Sequence, residues 1–167
     1  LLGKYNPSGK LTMSFPRNVG QIPVFYNYRQ SGRPGTDKLT KWTNRFIDSP
    51  VSPLYPFGYG LSYTTFSYSA PRVSQKEFST NEILKVSVDV TNTGQYDGEE
   101  TIQLYIRDVI ASVTRPVKEL KGFKKIFLRK GETRTVGFEL RAEDLSFLSQ
   151  DMEPVICLLY TSDAADD

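Results

Sequence analysis

The fold is decided by residues 84–94, which read LKVSVDVTNTG. Four apolar residues of this stretch alternate with polar ones, and they are Leu84, Val86, Val88 and Val90. Because successive side chains of a β-strand point to opposite faces, the alternation predicts a strand with one buried face. The Asn-Thr-Gly sequence at residues 92–94 favours a turn, so we expect the strand to end there.

Three segments further along the chain predict strands of the same kind. Their apolar positions are Ile102, Leu104 and Ile106, then Phe123, Ile126 and Leu128, then Val136, Phe138 and Leu140. The segment from Phe123 changes phase at Lys124-Lys125, which predicts a β-bulge there. Residues 130–132 supply a turn before the last strand, and residues 142–145 offer at most one helical turn. Short strands separated by turns predict a mainly β chain, with an antiparallel β-sandwich over residues 66–156.

Composition excludes several classes of function. The chain has 167 residues, and 21 Lys and Arg face 19 Asp and Glu, for a net charge of +2. That balance gives no reason to expect nucleic acid as a partner, and no apolar stretch is long enough to predict a membrane span. With no histidine and one cysteine, the chain cannot build a Ser-His-Asp triad, an HExxH zinc site or a multi-thiolate zinc site. We therefore expect no metal site and no cofactor.

Residues 1–65 differ in character from the rest. They are rich in Gly, Pro, Asn, Ser and Tyr, and turn sequences recur at residues 6–10, 31–35 and 53–60. A segment of this length with little regular structure is uncommon as an independent domain. We therefore expect it to lie across another domain.

No group of neighbouring side chains predicts a catalytic site. Asp97, Glu99 and Glu100 lie where a turn meets a strand, and adjacent strand residues point to opposite faces. We interpret Asp97 and Glu99 as a solvated turn rather than an acid/base pair. Glu143 and Asp144 are interpreted as a cap at the start of a short helix. A basic cluster is interpreted as protection of an edge strand rather than an anion site, and it consists of Lys118, Lys121, Lys124 and Lys125.

Six motifs follow one another along residues 1–156. They read NPSGKLT (6–12), VGQIP (19–23), PLYPFGYGLSYT (53–64), VTNTG (90–94), QLY (103–105) and RPVKELKGF (115–123). In this order they resemble the C-terminal part of glycoside hydrolase family 3, the family of β-glucosidases and β-xylosidases. The run at 53–64 is the most specific of them.

The resemblance implies a domain arrangement. Residues 1–27 would be the last strand region of an α/β sandwich domain, and residues 28–65 a long connecting loop. Residues 66–156 would be a fibronectin type III-like domain, of the immunoglobulin-like sandwich type, that lacks its last strand. The chain would then be a C-terminal fragment whose partners are the upstream barrel and α/β sandwich domains of a periplasmic or secreted enzyme.

The resemblance also implies a chemistry that this chain does not carry. The family hydrolyses glycosides with retention, which needs two carboxyl groups roughly 5–5.5 Å apart. Its nucleophile is an Asp of the barrel and its acid/base a Glu of the second domain, and neither motif occurs here. We expect no catalytic residue in this chain, no activity of the chain alone, and a scaffolding role in an enzyme whose substrate is an oligosaccharide or glycoside.

The aromatic residues of the first zone allow two interpretations. They could stack on sugar rings, or they could anchor a loop by burying large area. The set consists of Tyr26, Tyr28, Trp42, Tyr55, Phe57, Tyr59 and Tyr63. Trp42 and Arg45 lie in the part of the loop with the fewest motifs, and they are the candidates for an approach to substrate.

Two other functions stay open at this point. One is a stand-alone fibronectin type III-like module for binding or adhesion, and residues 1–27 argue against it because a free module does not need them. The other is an interaction protein that uses the tyrosine-rich loop. Residues 157–167, CLLYTSDAADD, resemble the translation of a sequencing adapter, with an acidic disordered terminus as the alternative.

Overall fold

The computed structural model describes residues 3–29, 33, 35, 46–77, 79–109 and 111–156. Their eight strands are β1 (Phe66–Tyr68), β2 (Arg72–Val73), β3 (Leu84–Asn92), β4 (Gly98–Ile106), β5 (Glu119–Leu128), β6 (Thr133–Leu140), β7 (Ser146–Leu148) and β8 (Pro154–Ile156). Two short 3-10 turns lie at Val19–Gln21 and Ala142–Leu145. Among the residues described, no helix has the length and apolar character that a bilayer crossing requires.

Strand β3 is the centre of the first sheet. It pairs with β6 along almost its whole length, from Leu84 opposite Leu140 to Thr91 opposite Thr133. Its other side is shared, because β1 pairs with its last residues and β2 pairs with Val86 and Ser87. All of these pairings are antiparallel, as the turn-separated pattern predicts.

Strands β4 and β5 form the second sheet, and here one prediction was wrong. Their antiparallel register runs from Gly98 opposite Leu128 to Ile106 opposite Glu119, with Lys124 and Lys125 in regular pairing. The register shifts between Leu104 and Tyr105, so the extra residue of β5 is Lys121. The bulge was placed at Lys124-Lys125 because Phe123 was taken as a core residue. Phe123 in fact lies on the outer face and is 69% exposed.

The two sheets enclose the hydrophobic core, which confirms the predicted sandwich. One buried cluster consists of Val90, Ile102, Leu128, Val136 and Phe138, and a second consists of Leu84, Val86 and Leu140. Asn92 is fully buried at one end of the core, where its amide donates to the carbonyl oxygens of Tyr96 and Leu128. Its side-chain oxygen accepts from the Thr64 hydroxyl at 2.7 Å. This satisfied polar group therefore joins the turn after β3 to the segment that leads into β1.

The last described elements follow β6. The Asp144 carboxylate accepts the backbone N–H of Arg141 at 2.8 Å, so Asp144 caps the 3-10 turn as predicted. Strands β7 and β8 then form a two-stranded antiparallel hairpin. Residues 157–167, which the adapter interpretation concerns, lie outside the described residues. The proposed boundaries at residues 27/28 and 65/66 stay predictions, although β1 begins at Phe66.

Candidate functional site

Residues 3–29 and 46–63 form a segment that we call the N-terminal arm. Two of its stretches run antiparallel to each other without forming a sheet. The N–H of Leu11 donates to the carbonyl of Tyr59, and the N–H of Gly58 donates to the carbonyl of Leu11, both at 2.8 Å. Phe15 and Tyr55 form an isolated antiparallel bridge. The turn-rich sequence motifs are thus brought together in pairs, and the arm has a defined backbone.

Gln21 fixes the middle of the arm. It is 5% exposed although its neighbours in the 3-10 turn are exposed. Its side-chain oxygen accepts the backbone N–H of Arg17, and its side-chain nitrogen donates to the carbonyls of Pro50 and Ser52. A buried amide that uses both of its ends holds two backbone stretches in one geometry.

The beginning of the arm is bound to β4 through two carboxylates. Glu99 accepts hydrogen bonds from the hydroxyls of Tyr5 at 2.7 Å and Ser8 at 3.2 Å. The Tyr5 hydroxyl, more than any other group, holds the pKa of the Glu99 carboxyl below its ordinary value. Glu100 points to the other face, where it is buried and forms an ion pair with Lys10 at 2.8 Å. Both carboxylates therefore serve as acceptors for the arm.

The far part of the arm is held by aromatic rings on the outer face of β4. Tyr26 and Phe57 stack with their centroids 4.0 Å apart. The Tyr105 ring meets both in an edge-on orientation, with its centroid 6.3 Å from that of Tyr26 and 6.4 Å from that of Phe57. The Nζ of Lys118 lies 5.1 Å from the Tyr105 centroid. The Tyr26 hydroxyl accepts the backbone N–H of Leu120 at 3.3 Å. The cluster thus fastens the arm to both strands of the second sheet.

Gly58 lets the arm approach β4 closely. Its φ is +82°, and a Cβ at this position would lie 2.5 Å from Oε1 of Gln103 and 2.6 Å from the hydroxyl of Tyr105. These two side chains are themselves joined by a hydrogen bond of 2.9 Å, so they are not free to move aside independently. The position needs glycine both for its backbone conformation and for space.

The predicted site residues have different outcomes. Trp42 and Arg45 lie outside the described residues, so their approach to substrate stays a prediction. Tyr26 and Phe57 serve as anchors, in agreement with one of the two interpretations of the aromatic set. The interpretation of Glu99 as a solvated turn residue was wrong, because it lies in β4 and binds the arm, as does its neighbour Glu100. No local signal could have shown the arm contacts of Glu99 and Glu100, since Tyr5 and Lys10 lie 94 and 90 residues away along the chain.

The arm and the sandwich match different families. Residues 1–63 match the glycosyl hydrolase family 3 C-terminal domain, and residues 100–157 match the fibronectin type III-like domain. The chain belongs to glycoside hydrolase family 3. Its fibronectin type III-like part is the second sheet with the elements that follow it, and its family 3 C-terminal part is the arm.

Similar proteins agree on the family and on the position within it. The family 3 chain is 52% identical over 154 residues to the periplasmic beta-glucosidase of Salmonella typhimurium, covering 92% of this chain and 20% of that protein. It is 49% identical over 156 residues to a beta-xylosidase of Formosa agariphila, covering 93% of this chain and 21% of that protein. The beta-glucosidase of Listeria innocua in complex with isofagomine superposes with a TM-score of 0.85 at 47% identity, over 92% of this chain and 22% of that one. This chain therefore corresponds to the C-terminal part of such enzymes and spans about a fifth of their length.

Proposed function

We propose that this chain is the non-catalytic part of a retaining β-glycosidase, in which the sandwich holds the arm in place for an upstream catalytic part. The observation that carries the proposal is the contact between the arm and β4. Glu99 and Glu100, the carboxylates of this contact, are both occupied by arm residues. A general acid needs a raised pKa, whereas the pKa of Glu99 is lowered. The contact is therefore suited to support and not to catalysis.

The exposed apolar side chains of the arm support the proposal that an upstream partner covers it. Several large apolar side chains of the arm face solvent, among them Val19 at 83%, Ile47 at 97% and Leu61 at 70% exposed. Exposure of so many large apolar side chains in one segment is expected where other polypeptide covers that segment. Barrel and α/β sandwich domains upstream of the arm are the proposed cover. A stand-alone module for binding or adhesion is disfavoured, because the arm belongs to a different domain family from the sandwich.

The similar proteins support a proposal for the substrate and the cellular location. Their names describe beta-glucosidases and beta-xylosidases, so the proposed substrate of the longer enzyme is a β-linked glucoside or xyloside. One of them is described as periplasmic, which supports a periplasmic or secreted location. Trp42 and Arg45 remain the proposed approach of the loop towards that substrate.

A chimera tests the proposal. The C-terminal fifth of the Salmonella enzyme would be replaced by residues 1–156 of this chain, and both chimera and isolated chain would be assayed on aryl β-glucosides and β-xylosides. We expect turnover by the chimera and none by the isolated chain, because the retaining pair lies upstream. A folded chimera without activity would contradict the scaffold function. Turnover by the isolated chain above a purified blank would place catalytic groups within it and contradict the non-catalytic role.

A further inference from the structure

The outer face of β5 carries an uncovered apolar surface. Phe123, Lys125 and Phe127 point outward at alternate positions of the regular ladder. Phe123 is 69% exposed and Phe127 is 47% exposed. β5 has no partner other than β4 among the described strands, so this surface lies at a sheet edge. Exposed aromatic residues at an edge favour association, and proteins usually cover or interrupt such surfaces.

The uncovered surface is continuous with the contact between the arm and β4. Phe127 pairs directly with Glu99, the residue that binds Tyr5. The Nζ of Lys125 also lies 3.9 Å from the Glu99 carboxylate. Near the other end of β5, the backbone of Leu120 donates to the Tyr26 hydroxyl. The arm therefore reaches both ends of β5 and leaves the surface between them open.

The path of the chain determines what lies nearest to this surface. Tyr5 is hydrogen-bonded to Glu99, and directly opposite residues in antiparallel strands have Cβ atoms about 4.5–5.5 Å apart. The Tyr5 hydroxyl therefore lies beside the Glu99–Phe127 pair, so polypeptide that leads into Tyr5 starts about one tyrosine side-chain length from this surface. In the similar proteins about four fifths of the length lies outside the matched part. The part of this upstream length that comes directly before the arm in the chain is the rest of the family 3 C-terminal domain.

We propose that Phe123, Lys125 and Phe127 form a docking surface for the part of the family 3 C-terminal domain that precedes Tyr5 in the longer proteins. This inference rests on the proposed function, because it names the surface by which the sandwich supports the upstream part. The two rings supply apolar area, and Lys125 lies between them. The salt bridge from Lys125 to Glu99 links this surface to the arm contact.

The test compares the same substitutions in two settings. Phe123→Ser with Phe127→Ser would be introduced into the isolated chain and into the chimera with the Salmonella upstream part. The matched control is Leu148→Ser with Tyr96→Ser, since these residues are 52% and 64% exposed and lie on β7 and in the β3–β4 turn. We expect the phenylalanine pair to lower the melting temperature of the chimera by about 4 °C or more and to leave that of the isolated chain unchanged. The control pair should leave both unchanged.

Hydrogen exchange over residues 119–128 provides a second measurement. Outward-facing groups of β5 should be shielded in the chimera, so exchange there should be at least about tenfold slower than in the isolated chain, and the phenylalanine pair should abolish the difference. Equal destabilisation in both settings would show that the rings pack within the chain, and no effect in either would show that nothing docks there. Both results would overturn the proposal. Dimers of the isolated chain that the phenylalanine pair dissociates would assign the surface to a second copy and overturn it too.

The proposed function and this inference fail separately. Glycosidase activity of the unsubstituted chimera tests the function without reference to β5. An active chimera with no protection of residues 119–128 would leave the scaffold function standing and refute the docking surface. A chimera without activity could still show slowed exchange over residues 119–128 that the phenylalanine pair abolishes. That result would refute the scaffold function and leave the docking surface standing.

Discussion

The sandwich and the arm are stabilised in different ways. In the sandwich, apolar side chains from facing sheets form clusters in which Val90 and Leu128 are fully buried. In the arm, most large apolar side chains remain exposed, and the backbone is fixed by side-chain hydrogen bonds such as those of Gln21. The arm is also held by contacts with β4, through Glu99 and Tyr105. The sandwich therefore has its own core, while the arm depends on the sandwich.

This difference implies an order of stability. A region whose contacts are few and peripheral opens at a lower free energy than one built around a buried cluster. The arm should open without disturbing the sandwich, whereas loss of the sandwich must release the arm. Three substitutions follow. The first is in the core of the sandwich, the second is at the contact between arm and β4, and the third is in an ion pair of the first sheet.

Leu128→Ala should have the largest effect. Leu128 is fully buried between the sheets, so the truncation removes apolar contacts and leaves a cavity. We expect a loss of about 2–5 kcal/mol in the free energy of unfolding, measured by urea denaturation. Arm and sandwich should unfold together in this variant. Leu148→Ala is the control, since Leu148 is 52% exposed and should cost less than about 0.5 kcal/mol. Similar losses from both substitutions would contradict the assignment of the core.

Gly58→Ala should release the arm and spare the sandwich. The new methyl group would meet Gln103 and Tyr105, and the backbone would hold alanine at a φ of +82°. We expect a cost of about 1–3 kcal/mol to the closed state of the arm. Amide exchange at residues 55–60 should become faster, while exchange in β3 and β6 should not change.

Gly9→Ala is the matched control for that change, because no atom lies within 4 Å of its added Cβ. It should leave exchange in the arm nearly as it was. If Gly58→Ala accelerated exchange in β3 as strongly as in the arm, the two regions would be one cooperative unit.

The smallest effect concerns pH and the first sheet. Two hydrogen bonds from Arg72, together with one from Thr135, lower the pKa of Asp89 from its ordinary 3.8 to about 2. The lowered pKa means that the stabilisation is complete above about pH 4 and is lost as the pH falls towards 2. Melting temperatures between pH 5 and 2 should therefore fall less in Asp89→Asn than in the unsubstituted chain. Parallel curves for the two proteins would show that the carboxylate is not ion-paired in solution.

The sandwich could be predicted from sequence because its signal is local. Leu84 to Val90 and Val136 to Leu140 alternate without interruption, and both became strands with the expected buried faces. The error at β5 has the same origin. Phe123 is apolar but faces outward, so a rule that places apolar residues inside moved the bulge from Lys121 to Lys124-Lys125.

The arm could be predicted only in part. Its turn sequences correctly indicated an irregular backbone, but the surface on which it lies could not be derived from them. The stack of Tyr26 on Phe57 joins residues 31 positions apart, and Tyr105 comes from a strand much further along. One signal was present in the sequence. Tyr105 is an aromatic residue at an outward position of a predicted strand, which is a mark of a covered outer face.

The length of the loops that the arm closes has a consequence for biosynthesis. Tyr5, Ser8 and Lys10 bind partners that lie 94, 91 and 90 residues later in the chain. Closing a flexible loop of that length costs about 4 kcal/mol in chain entropy, and at about 5–20 residues per second β4 leaves the ribosome roughly 5–20 seconds after the arm. During this interval the arm has no sandwich to bind. Polypeptide made before the arm, which in the longer proteins is the rest of the enzyme, is already available to its exposed apolar side chains in this interval.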